Sequence, residues 1–249
     1  MAATMVMMMA PSEAAAQEPP PPPPLWDVQF GASFVGTSGN SDTSSVGADF
    51  GLHRRWTIWQ IEATATTVRS SNLGTQTAER YLGAFRGQRR LTPFVALSTG
   101  TRMERDRFAG MDFRAISDVG LAWVLYRRAR WNLDGITSIA VNQERPTAGP
   151  DRNAPVGLFQ LLSTVPFGDD GSSTQRFTYY PDFEDASAYR LELEITAQAA
   201  MNDWLALKLG YLVRRSNAPV PGFKKTDTTT TASVVMQWEA ATPAPTPSP

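Results

Sequence analysis

The side chains in this sequence best suited to chemistry are ionic. Glu104, Asp106, Arg107 and Arg114 bracket a short loop at Asp106–Gly110, and Arg102 stands just before them. Carboxylates and guanidiniums at this spacing can form charge-assisted pairs, which are short and strong because both partners are ionised. They can also line a passage and sort solutes by charge. Asp118, Arg190, Glu192 and Glu194 join them as candidates, each on the polar face of an alternating stretch. Two readings follow: a selectivity or ligand site in a pore, and a structural network that pins the hairpin and fills the interior. The second is preferred.

Other chemistry is sparse. His53 is the one histidine, beside Arg54 and Arg55. A catalytic imidazole needs a hydroxyl or similar group within hydrogen-bond reach, and no nucleophile stands out near it. An outer-membrane lipid hydrolase is therefore the least favoured reading, and no catalytic residue is assigned. The chain has no Cys, so disulfides and thiolate metal sites are excluded. No phosphate-binding glycine pattern occurs, and neither metal nor cofactor is expected. A net charge of -1 gives nucleic acid nothing to attract it.

The elements that must carry these charges are strands. From Tyr189 to Ala197 every odd residue is apolar and every even residue polar or charged. A β-strand sends successive side chains to opposite faces, so one face is oily and the other ionic. Leu205 to Val213 repeats the pattern after a turn at Asn202-Asp203. Comparable stretches run over Trp26–Thr37, Ser45–His53, Trp59–Thr66, Thr77–Gln88, Phe94–Arg105, Asp112–Tyr126, Trp131–Asn142, Val156–Phe167, Thr174–Tyr180 and Thr226–Glu239. That makes twelve strands with no long amphipathic helix between them. The faces of Val156–Phe167 stay ambiguous because both are apolar. Gaps at Gly36–Asp42, Ser70–Gln76, Gln143–Pro155 and Ser216–Lys225 read as long loops, and those at Arg54-Arg55, Arg127–Arg130 and Asn202-Asp203 as tight turns. Long loops at one end and short turns at the other are how outer-membrane barrels are built.

Alternation alone cannot say which face is outside. Tryptophan can. Trp26, Trp56, Trp131, Trp204 and Trp238 all fall at the short-turn end, where a ring of such side chains forms an interfacial girdle. The charged face carries a dozen ionic groups, too many for a dry interior and acceptable in a wide, hydrated lumen. The expected fold is all-β, a twelve-stranded antiparallel up-and-down transmembrane β-barrel over residues 26–239. Residues 1–16 read as a secretory signal peptide, with Ala14-Ala15-Ala16 suiting the cleavage site but no Lys or Arg before the apolar part. Residues 17–25 read as a Pro-rich linker and residues 240–249 as a Pro-rich disordered tail.

Gly39-Asn40-Ser41-Asp42, the segment Glu104-Arg105-Asp106-Arg107-Phe108 with Gly110 and Arg114, and Pro221 with Lys224-Lys225-Thr226-Asp227-Thr228 carry a resemblance. Over Trp26 to Trp238 the chain resembles the salt-induced outer-membrane proteins (YdiY-like), grouped as a domain of unknown function. The resemblance implies a bacterial outer-membrane barrel. The chain departs from that pattern in its signal segment and in the tail after Trp238. The partners expected are outer-membrane lipid, lipopolysaccharide and, during biogenesis, the barrel-assembly machinery. Lys224 and Lys225 could meet lipopolysaccharide phosphates, or stand as solvated loop charges. Two functions are expected ahead of catalysis: a narrow passive pore for small hydrophilic solutes, and a structural envelope protein with a packed, charged lumen.

Overall fold

The computed structural model describes residues 25–38, 43–72 and 75–240. The signal-like segment, the Pro19–Pro24 run, the Gly39–Asp42 turn and the tail beyond Ala240 lie outside the described residues.

Twelve strands follow one another: β1 (Trp26–Ser38), β2 (Thr43–Arg55), β3 (Trp59–Asn72), β4 (Thr75–Arg90), β5 (Val95–Asp106), β6 (Met111–Arg128), β7 (Trp131–Pro146), β8 (Arg152–Phe167), β9 (Gly171–Tyr180), β10 (Arg190–Ala200), β11 (Leu205–Ser216) and β12 (Thr226–Ala240). Each pairs antiparallel with the next, and β12 returns to pair with β1, so the sheet is a closed barrel. Closure leaves no strand edge unpaired. A 3-10 turn, Arg107–Ala109, interrupts the pattern between β5 and β6.

The alternation in the sequence becomes the two walls of this tube. In β1, Phe30, Ala32 and Phe34 are exposed while Ser33 and Val35 are buried. The same holds around the ring: Phe85, Met103, Val119, Ile139, Phe159 and Leu209 all face outward and exposed. Ser98, Glu104, Asp118, Thr178, Glu192 and Ser233 are buried. Burying a large apolar side chain is worth roughly 1.5–3 kcal/mol, so an outer wall of this composition is unfavourable in water and favourable in hydrocarbon.

Two expectations are corrected. Ser70–Asn72, Thr75–Gln76 and most of Gln143–Pro155 are strand, not loop: β3 runs to Asn72, β4 starts at Thr75, and β7 and β8 leave only residues 147–151 between them. Ser, Thr and Gln report exposure to water, and a strand rising past the apolar zone is as polar as a loop. The length contrast between the two ends therefore rests on residues 181–189 and 217–225. The interior is also not ionic throughout. Ile116, Ile136, Ala140, Ala154, Val156, Leu158 and Tyr180 form a buried apolar cluster. Even-numbered residues of β8 point inward with it, which explains why both faces of that strand looked oily.

Candidate functional site: an ionic network across the lumen

Glu104 is the centre of the site. It sits on β5 opposite Arg114 of β6 and Leu82 of β4, on the inward face, with its side chain 2 % exposed. Arg80 Nη2 lies 3.1 Å from its Oε1 and Arg114 Nη1 3.8 Å from its Oε2. Those two come from neighbouring strands. The third does not: Arg214 of β11 reaches the same carboxylate at 2.6 Å and Asp106 at 3.2 Å. In a ring of twelve strands, β5 and β11 are six steps apart in either direction. The Arg214 pairs therefore run across the tube. Arg102 of β5 makes a second crossing to Glu192 of β10, at 3.0 Å.

Around these crossings other pairs close the shell. Arg114 Nε donates to Glu144 Oε1 at 2.7 Å, and Asn142 donates to the same oxygen. Arg152 meets Asp182 at 2.7 Å, and Arg190 lies 3.5 Å from Glu192 with its guanidinium over the Tyr180 ring. Asp106 also accepts from the Ala109 amide and so caps the 3-10 turn. A guanidinium can donate several hydrogen bonds in a fixed fork, so a few arginines can satisfy several carboxylates at once. Chemically the arrangement is a bolt. It ties opposite walls of the tube together.

Among the nine charged positions expected to cluster, Arg102, Glu104, Asp106, Arg114, Arg190 and Glu192 come together. Asp118 belongs to a separate pair nearer the turn end, where Arg86 grips it at 2.8 and 3.0 Å and also reaches Ser98. Glu194 pairs with Arg176 at 2.9 Å, both over a third exposed. Arg107 lies outside the network, on the exposed 3-10 turn. It donates to Asp112 at 2.6 Å, which raises its proton affinity. Arg80, Glu144 and Arg214 also belong to the network, and the sequence does not single them out. What was missing was the pairing across the tube, which no local spacing encodes.

His53 stands beside Asp27 and Glu62 across the ladder, and neither offers a hydroxyl. Among the described residues no group of His, Asp and Glu is arranged to hold a metal.

Trp26, Trp56, Trp131, Trp204 and Trp238 all lie at the end of the barrel where the short turns are. Trp59 and Trp123 join them, so all seven tryptophans occupy that half. Arg54 is held between two of them, 3.9 Å from the Trp26 ring and 4.3 Å from the Trp56 ring. Such contacts suit a level where an apolar phase meets water.

Residues 28–238 match the family model described as Protein of unknown function, DUF481. The chain belongs to this family. No curated protein matches it. Among solved structures, this DUF481 barrel is similar to the NanC porin, with 12 % identity and a TM-score of 0.57, over 83 % of this chain and 98 % of that one. The KdgM porin aligns at 8 % identity with a TM-score of 0.49, over 85 % of this chain and 99 % of that one. At these identities the likeness to the first concerns the fold: a closed antiparallel barrel.

Proposed function

We propose that this DUF481 protein is an outer-membrane β-barrel whose lumen is shut by the ionic network, a structural envelope protein with a packed, charged interior. The carrying observation is that Arg102–Glu192 and Arg214–Glu104 join opposite walls while Glu104 is almost wholly enclosed. The outward apolar wall and the tryptophan belt support a bilayer as its surroundings. In that orientation both chain ends face the periplasm and residues 181–189 and 217–225 face outward, where Lys224 and Lys225 would be at the level of lipopolysaccharide phosphates. Assembly would pass through the barrel-assembly machinery.

A narrow pore is the second reading. It is favoured by the turn-end half of the interior, where Gln60 bonds Gln88 and Gln198 bonds Gln237 in a polar wall. Planar-bilayer recording of the refolded protein separates the two. The packed reading expects no steady current from the native chain and a measurable one from the Arg102→Ala/Arg214→Ala double variant. Stable native channels that pass small solutes would overturn it in favour of the pore. The pore reading predicts in addition that charge reversal at Arg102 and Arg114 shifts ion selectivity.

A further inference from the structure

The tryptophan belt is built in two unlike halves. An Arg-Arg doublet ends each of β2, β4 and β6: Arg54-Arg55, Arg89-Arg90 and Arg127-Arg128. The three strands lead into three consecutive short turns, and β2 to β7 make up half the ring. One arginine of each doublet stands directly across the ladder from a tryptophan: Arg54 from Trp26, Arg89 from Trp59 and Arg128 from Trp131. Residues paired in this way share a face of the sheet. Trp59 and Trp131 are exposed on the outer wall. The three arginines therefore lie outside the tube, at the level of the belt.

Each has an aromatic ring for a neighbour. Arg54 lies 3.9 Å from the Trp26 ring and 4.3 Å from the Trp56 ring, Arg89 lies 5.8 Å from Trp59, and Arg128 lies 5.8 Å from Tyr126. None of the three forms a salt bridge among the described residues, whereas the other arginine of the β6 doublet, Arg127, is matched by Asp134 at 2.7 Å. A ring neutralises none of the charge, and a guanidinium has five N–H donors to offer a phosphate. The opposite half of the belt is different. The turns at 168–170 and 201–204 carry Asp169, Asp170 and Asp203 and no Arg or Lys. Trp204 lines an open cleft with Asp170 and Asp203.

At belt level in a bilayer the acceptor within reach is a lipid phosphate. Residues 54–59, 89–94 and 127–131 contain no Asp or Glu. A zwitterionic headgroup brings an ammonium that these turns offer no carboxylate to meet. An anionic headgroup brings phosphate without that cation. Hydration alone gives no reason for guanidiniums to stand opposite belt tryptophans in one half of the ring and to be replaced by carboxylates in the other.

We propose that Arg54, Arg89 and Arg128 form an arc on the outer wall that binds anionic phospholipid headgroups. The arc rests on the bilayer reading given above.

The test is tryptophan quenching of the full-length protein in mixed vesicles of phosphatidylglycerol and phosphatidylcholine, one or the other brominated near the headgroup. Phosphatidylglycerol should associate about fivefold more strongly than phosphatidylcholine at low salt. High salt should weaken that preference. The Arg54→Gln/Arg89→Gln/Arg128→Gln variant should abolish it. Arg89→Gln alone, which removes an exposed side chain, should lower it in part and serves if the triple variant fails to fold. Arg145→Gln removes an arginine over Phe113 at the loop end and should leave it unchanged. Equal quenching by the two lipids overturns the arc and leaves the bilayer reading standing; no quenching by either overturns both. A preference that survives the belt substitutions, or falls as far in Arg145→Gln, overturns the assignment to these residues. Displacement of the lipid by soluble glycerol phosphate overturns it in favour of a free-phosphate site.

Discussion

Glu104 holds three arginines, and the consequences of losing it are unequal. In Glu104→Ala the guanidiniums of Arg80, Arg114 and Arg214 keep their positive charge and lose a shared counter-ion in an enclosed space. Breaking a buried pair from one side costs about 3–5 kcal/mol. Urea unfolding in lipid vesicles should show a loss of that order, and a loss under about 1 kcal/mol would mean that water reaches the site freely. Gly100 makes a narrower point. A Cβ there would stand 2.7 Å from Arg86 Nη2 and 3.0 Å from Asp118 Oδ1, so the missing side chain is what admits the Arg86–Asp118 pair. Gly100→Ala should push that pair apart and destabilise the barrel by about 1–3 kcal/mol, as overpacking does. The same alanine in an Asp118→Asn background should cost less, which a double-mutant cycle would measure. Gly110 answers to a different constraint. Its φ of 79° ends the 3-10 turn, and its missing Cβ lets the Phe223 ring approach.

Strands differ in how openly they announce their faces. In β10 the alternation from Leu191 to Ala197 reads directly, because one face is ionic and the other apolar. In β8 the inward residues Val156 and Leu158 are as oily as the outward Phe159 and Leu161, so no pattern marks the inside. Ser70–Gln76 misled in the opposite sense, since polar composition can belong to a strand beyond the apolar zone. The local half of the network was legible: Glu104 and Arg114 are direct partners across the β5–β6 hairpin. Its other half was not. Glu192 lies 90 residues from Arg102, and only strand number and closure bring the two together. The loop between β9 and β10 carries its own order: Asp185 accepts from both the amide and the hydroxyl of Ser187, which holds its carboxyl below the usual range. At this scale the outward face of β7 gives a clear expectation. Ile139 is at mid-strand and 66 % exposed, so Ile139→Arg should cost about 2–4 kcal/mol in a bilayer, read from unfolding in vesicles. A change near zero would mean that β7 does not face lipid.

For the molecule as a whole, the two walls set where it is stable and the tryptophans set how it sits. All seven gather in one half of the barrel. In vesicles, bromine carried near the headgroup should quench their fluorescence strongly, and bromine at the chain ends weakly. Equal quenching by both would remove the girdle. The pairing of β1 with β12 has one more result. Thirteen residue pairs join the first strand to the last, so the tube cannot close before the last strand is in place. The Arg214–Glu104 contact also needs β11, so it too comes late. In a sheet not yet closed, the ionic residues of the middle strands share one face that is open to water. Such long-range pairing delays folding. Maturation of this protein should therefore end in one concerted snap, in which zippering of the wall and neutralisation of its contents happen together.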